Sequence, residues 1–186
     1  MARKRGRGMA ACWYGIARTA VIDRAAAWVE LDDGGSAKVV TGVTEIGEGI
    51  LTVLAQIAAH EMGTKPELVV IGDNDTARAP EASHAGASRQ TYMIGNAVAL
   101  ASHEARKRLV EVMASVWDVE VETIHTGNGE IWVENTNHRI TMSEAVHTAK
   151  SRGVVPVGGD GQVAGLKAAG GQGQSNPRAQ PDPDRQ

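Results

Sequence analysis

Apolar positions run in short blocks up to residue 41 and at helical spacing from residue 50. Residues 26–31 (AAWVEL) and 37–41 (AKVVT) flank Asp32-Asp33-Gly34-Gly35-Ser36, two apolar runs around a Gly-rich turn, which predicts a β-hairpin. Ile50, Val53, Leu54 and Ile57 then recur at i, i+3, i+4 and i+7, one face of an amphipathic helix, with Gly63 placed to end it. Residues 67–71 (ELVVI) read as a short buried strand, and residues 77–90 as a long polar connection of small residues. A second helix is expected from near Ser88 to about Val116, where Leu109, Val112, Met113 and Val116 share a face. Strands at 130–134 and 138–141 follow, then a helix over 143–150 with Ser143 as its N-cap. The order β-β-α-β-α-β-β-α predicts an α+β fold of two layers, helices packed on a mixed sheet.

The pattern stops near Gly153. Four of the six prolines lie from Pro156 onward among Gly and Gln, so residues 153–186 are expected to be a disordered tail behind a domain of residues 1–152. The absence of Phe leaves the core to Ala, Val, Ile, Leu and Met. A net charge of −3 argues against a nucleic-acid partner, and no apolar run approaches the ~20 residues of a membrane span. The basic start reads as a solvated arm, because Gly8, Gly15 and Arg18 interrupt any secretory signal. One cysteine, Cys12, excludes an internal disulfide and favours a reducing compartment; it is expected to be a small buried or half-buried side chain. The cytoplasm is the expected location, with the periplasm as the alternative.

Candidate chemistry sits in two loops of one design, each glycine-led and each delivered into a helix. The first is Glu45-Ile46-Gly47-Glu48-Gly49; the second runs from Ala85 through Gly86, Ala87, Ser88, Arg89 and Gln90. The first N–H groups of a helix lack internal partners and carry partial positive charge, and glycine lets a ligand approach them, so each loop is a candidate anion cradle. Arg89 adds a forked donor suited to phosphate. Glycine before a helix is also common without any ligand, and neither loop matches the P-loop or the dinucleotide fingerprint. Glu45 and Glu48 read either as a carboxylate pair or as charges that complement a helix N-terminus. Asp73 and Asp75 fit loop capping better than a cation site, and the six histidines show no metal-ligand spacing, with His60 and His103 expected on helix surfaces. Trp13, Trp28, Trp117 and Trp132 read as scattered packing anchors.

Residues 41–63, TGVTEIGEGILTVLAQIAAHEMG, resemble a signature of the large subunit of molybdenum hydroxylases, the xanthine dehydrogenase and aldehyde oxidase family. Asp75-Thr76, Ala87-Ser88-Arg89-Gln90-Thr91 and Gly95-Asn96-Ala97-Val98 resemble that family's next landmarks in the same order. Arg7-Gly8-Met9-Ala10 with Trp13-Tyr14-Gly15 is similar to its glycine-rich lead-in. The resemblance implies that Ile46, Gly47 and Glu48, and then Gly86, Ala87, Ser88, Arg89 and Gln90, contact a molybdenum-molybdopterin cofactor, in some members its cytosine dinucleotide form. The family has Gln where this chain has Glu48, and an ionised carboxylate repels an anionic cofactor.

The activity so implied is hydroxylation of an aldehyde or N-heterocycle with water as oxygen source. The family's glutamate base lies in a later segment, so no residue here is expected to be catalytic or to ligate metal. The chain is therefore expected to be a fragment of the cofactor-binding subunit, inactive alone. Its expected partners are the remaining segments of that subunit and iron–sulfur and flavin subunits or domains. The alternatives are a stand-alone structural or interaction remnant without cofactor and a free phosphate-binding module. A fragment cut from a larger core is also expected to expose apolar surface and to aggregate or become partly molten.

Overall fold

The computed structural model describes residues 3–12, 14–16, 25–72, 75–80 and 82–154. Within them the strands are β1 (Trp28–Leu31), β2 (Ala37–Val40), β3 (Val69–Ile71), β4 (Ile124–Gly127), β5 (Glu130–Val133) and β6 (Arg139–Thr141). The α-helices are α1 (Ile50–Met62), α2 (Gly95–Trp117) and α3 (Met142–Ser151). The tail expected beyond Val154 lies outside the described residues, as do Trp13 and Asp73.

The expected α+β class with a mixed sheet is observed. β1 and β2 pair antiparallel, with Leu31 opposite Ala37 across the predicted turn. β3 joins β2 in parallel, which requires a crossover, and α1 supplies it. A second sheet, in order β4-β5-β6, is antiparallel throughout. Its first strand, Ile-His-Thr-Gly, has no counterpart in the sequence reading, because Ile124 is its one buried apolar side chain and no alternation shows.

The core is aliphatic, as a chain without Phe requires. Val29, Leu31 and Val39 of the first sheet meet Leu54 and Ala58 of α1 and Val98, Leu109 and Met113 of α2 in one cluster. The two long helices come close at Gly95, where an added Cβ would lie 3.1 Å from Ile57 Cδ1. Farther along, His103 Nδ1 on α2 lies 3.6 Å from Glu61 Oε2 on α1. Early residues face early and late face late, so α1 and α2 run in the same sense and begin at the same end of the molecule.

Gly63 ends α1 as predicted, in the left-handed region at φ 70, with the Thr64 N–H donating to the Ala59 carbonyl at 2.9 Å. The N-cap of α3 differs from expectation. Thr141 caps it in a reciprocal box with Glu144, while the Ser143 hydroxyl donates to the Asp33 carbonyl at 2.6 Å. Ser143 thus fastens α3 to the β1–β2 turn, and the Lys150–Asp33 ion pair holds Asp33 below the usual carboxylate range at the same junction. Cys12 is exposed, not buried, because residues 3–12 lie on the surface. His60 and His103 are on helix surfaces as expected. Trp117 stacks on His138, and Trp132 stacks on His125 beneath the Arg139 guanidinium.

A Cβ at Gly63 would lie 2.6 Å from Thr126 Oγ1 and 2.9 Å from the Thr126 carbonyl carbon. Overlap with backbone adds to the left-handed penalty, so Gly63→Ala is expected to destabilise the fold by about 2 kcal/mol or more. A thermal melt against the wild type checks it; an unchanged midpoint would refute the close approach.

Candidate functional site

The parallel sense of α1 and α2 brings their leading loops to one end of the helix pair. The contact between them is a side chain from the second loop. Gln90 is buried, and its Nε2 donates to the Thr44 carbonyl at 3.2 Å, immediately before the first loop begins. A carbonyl only accepts, so this bond fixes which end of the amide is nitrogen. Gln90 Oε1 is left buried, with no hydrogen-bond partner among the described residues. A buried acceptor without a donor costs about 1–3 kcal/mol, so its persistence here calls for an explanation. Gly42 supports the junction from behind: a Cβ there would lie 2.6 Å from the Pro80 carbonyl oxygen.

The first loop caps itself. Glu45 accepts from the N–H groups of Gly47 at 2.7 Å, Gly49 at 2.9 Å and Leu51 at 3.3 Å, and Glu48 accepts from the Ile46 N–H at 2.8 Å. The Gly49 N–H, then those of Gly47 and Leu51, hold the Glu45 carboxyl below its ordinary range against a smaller opposing effect of desolvation. The helix N-terminus therefore already carries an anion, supplied by the chain. Gly47 and Gly49 sit in the left-handed region at φ 102 and φ 80, and among the described residues no other heavy atom lies within 4 Å of a Cβ built on either. Their outer faces can be approached closely by a ligand. Ile46 projects beside them, 70% exposed.

The second loop is strained. The Arg89 N–H donates to the Gly86 carbonyl at 2.9 Å, closing a turn whose central residues are Ala87 at φ 49 and Ser88 at φ 55. Positive φ at both central positions is the type I′ pattern, normally filled by Gly, Asn or Asp. Each such residue costs on the order of 1 kcal/mol and persists where its surroundings over-determine it. One support is Arg89, which turns inward, fully buried, with its guanidinium donating to the Ala82 carbonyl. Arg89 thus braces the loop from within rather than presenting a fork to an outside ligand. The helix then opens with a π turn over Gln90–Ile94, in which the Gly95 N–H reaches back to the Gln90 carbonyl. Turns of this kind frequently mark functional positions.

All eight expected contact residues thus lie on two loops joined through Gln90, though two of them act differently from their sequence reading: Arg89 is buried, and Glu48 is engaged with Ile46. Glu45 complements the start of α1 as its position suggests, reaching N–H groups two, four and six residues ahead. Asp75 caps its own loop, accepting from the Ala77 N–H at 2.8 Å. Among the described residues no group of three His, Cys, Asp or Glu could hold a metal, and no helix is long and apolar enough to cross a membrane.

The described residues thus form an α+β scaffold whose parallel helices present two loops, one with open glycines and one with a strained turn. The family described as the molybdopterin cofactor-binding domain matches residues 1–180, and the chain belongs to it. It is 34% identical over 119 residues to the 6-hydroxypseudooxynicotine dehydrogenase complex subunit gamma of Paenarthrobacter nicotinovorans, covering 62% of this chain and 15% of that protein. It is 30% identical over 143 residues to the xanthine dehydrogenase of Drosophila pseudoobscura pseudoobscura, covering 76% of this chain and 10% of the relative. The crystal structure of quinoline 2-oxidoreductase from Pseudomonas putida 86 superposes with a TM-score of 0.62 at 27% identity, over 80% of this chain and 19% of that one. The chain thus spans less than a fifth of the length of these relatives.

Two tests follow from the loop geometry. Ala87→Gly and Ser88→Gly should each stabilise the fold by about 0.5–1 kcal/mol in a denaturant titration, since glycine accepts positive φ without strain. A loss of stability in both would show that the turn is not strained. Glu45 has a lowered folded pKa, so its contribution is complete above the unfolded value of 4.5 and disappears as the pH falls through the folded value. Glu45→Gln should therefore lower the melting temperature at neutral pH, with the difference from wild type shrinking in acid. A pH-independent difference would contradict the capping role.

Proposed function

We propose that the chain is a segment of the cofactor-binding subunit of a molybdenum-dependent oxidoreductase that hydroxylates an aldehyde or an N-heterocycle, inactive by itself. The observation that carries this reading is Gln90: a buried amide that ties the two loops together and leaves an acceptor without a donor. A pterin ring carries N–H donors of the kind that acceptor requires. The open faces of Gly47 and Gly49 complete a surface that backbone and ligand can share closely.

On these observations the residues fit the cofactor in part. Gln90 and the Gly86–Ser88 turn would hold it, with Gly47 and Ile46 against it from the first loop. The first loop would be a poor place for its phosphate, because the Glu45 and Glu48 carboxylates already occupy the N–H groups of Ile46, Gly47, Gly49 and Leu51 and would repel it. A phosphate, or the pyrophosphate of the cytosine dinucleotide form, would draw its donors from the second loop or from outside this chain. When bound, the cofactor supplies the redox chemistry of the hydroxylation. This chain's share is binding and orientation: Arg89 fixes the second loop, and Gln90 holds the loops in register. The base, the iron–sulfur and flavin carriers and the substrate pocket belong to the remaining segments and subunits, and the cytoplasm is the proposed location.

The stand-alone remnant is the second reading, favoured by the self-capped first loop. Co-production with the remaining segments, in a host that makes the cofactor, separates the two. The assembled protein should carry molybdenum and a fluorescent oxidised pterin, Gln90→Leu should lower both by about tenfold or more, and Glu48→Gln should retain or raise them. Assemblies without molybdenum in both the wild type and Glu48→Gln would leave only the remnant reading.

A further inference from the structure

A second feature lies away from the two loops, along the open side of β4. Gly127 and Glu130 flank the two-residue turn of Asn128 (φ 54) and Gly129 (φ 84), which makes them a hydrogen-bonded pair. Pairs alternate along an antiparallel ladder, so His125 also bonds to β5, while Ile124 and Thr126 direct their backbone groups to the other side. The Ile124 N–H is taken by the Val121 carbonyl. The Ile124 carbonyl and both backbone groups of Thr126 therefore face outward, since β4 is the outer strand of its sheet.

A cleft of about 410 Å³ runs along this edge, with α2 as its opposite wall. Val110, Val121 and Ile124 give it an apolar base. Arg106 and Lys107 line it from α2, with His103 beside them and His125 across from β4, and among the described residues none that line it is acidic. Glu61 lies 3.6 Å from His103 and Glu111 lies 3.8 Å from Lys107, each outside the lining, and Arg106 Nη2 donates to His103 Nδ1 at 3.1 Å. Val121, one of the apolar lining residues, is 38% exposed.

We propose that this cleft binds an extended acidic peptide segment from elsewhere in the assembly, added to β4 as a further strand. Two features select a peptide over a simple anion. The edge offers an acceptor and a donor from Thr126, which only another backbone matches in pair. Carboxylates on that segment complement Arg106 and Lys107, and its apolar side chains suit the Val110, Val121 and Ile124 base. This inference does not depend on whether the cofactor loops are occupied.

The test uses the full chain and a fluorescein-labelled nonapeptide of alternating Glu and Val, followed by fluorescence anisotropy. Binding should be saturable, and should weaken by about tenfold or more in an Arg106→Gln, Lys107→Gln double variant whose melting temperature is unchanged. It should also be lost when alternate peptide nitrogens of the ligand are methylated, a control that alters no residue of the protein. Absence of saturable binding overturns the proposal. So does equal binding of the methylated ligand, which would reveal a plain anion site, or equal binding of the Lys and Val counterpart, which would reveal an unselective apolar groove.

Discussion

The close, parallel packing of α1 on α2 is the constraint from which the rest of the arrangement follows. It depends on a small residue at the crossing: Gly95 admits Ile57 where any side chain would already press on it. Alanines at 58, 59, 97, 101 and 105 extend the buried aliphatic core along both helices. Because the two helices run in one direction, both of their leading loops arrive at one end, and the Gln90–Thr44 bond becomes possible there. Reversing either helix would place the loops at opposite ends of the core. The parallel β2–β3 pair is part of the same geometry, since α1 is the crossover that makes it.

The two loops meet their backbone requirements in opposite ways. The first places a carboxylate at the start of its helix, with Glu45 accepting from the N–H groups of Gly47, Gly49 and Leu51. It offers a ligand open glycine surface more than positive potential. The second keeps two residues in a left-handed turn and braces them from below with a buried arginine. It remains under strain, with an unmatched acceptor at its end. On the proposed function, the carboxylate at position 48 and the cofactor are compatible, because the group that lacks a partner is the amide of Gln90.

Much of the scaffold was legible because its signals are local. The hairpin around Asp32–Ser36, the face of α1 and the glycine stop at Gly63 all appear where spacing and turn chemistry placed them. β4 was missed because one buried isoleucine in four residues makes no period. Ser143 was misread as a cap because a serine near a helix start suits either role. Only the proximity of Asp33, over a hundred residues earlier in the chain, decides that its hydroxyl goes there.

The sequence by itself determined the class of fold, the two glycine-led loops and, through their order, the family, because these depend on residues near one another along the chain. Tertiary structure decided what the loops do. Whether Arg89 faces a ligand or the core depends on the carbonyl of Ala82, presented by the folded connection beneath it. Whether Gln90 is a surface amide or the tie between two loops depends on Thr44, 46 residues away, brought near by helix packing. Charge and hydrogen-bonding capacity are properties of a residue, but the partner that uses them is fixed only when distant segments are packed together.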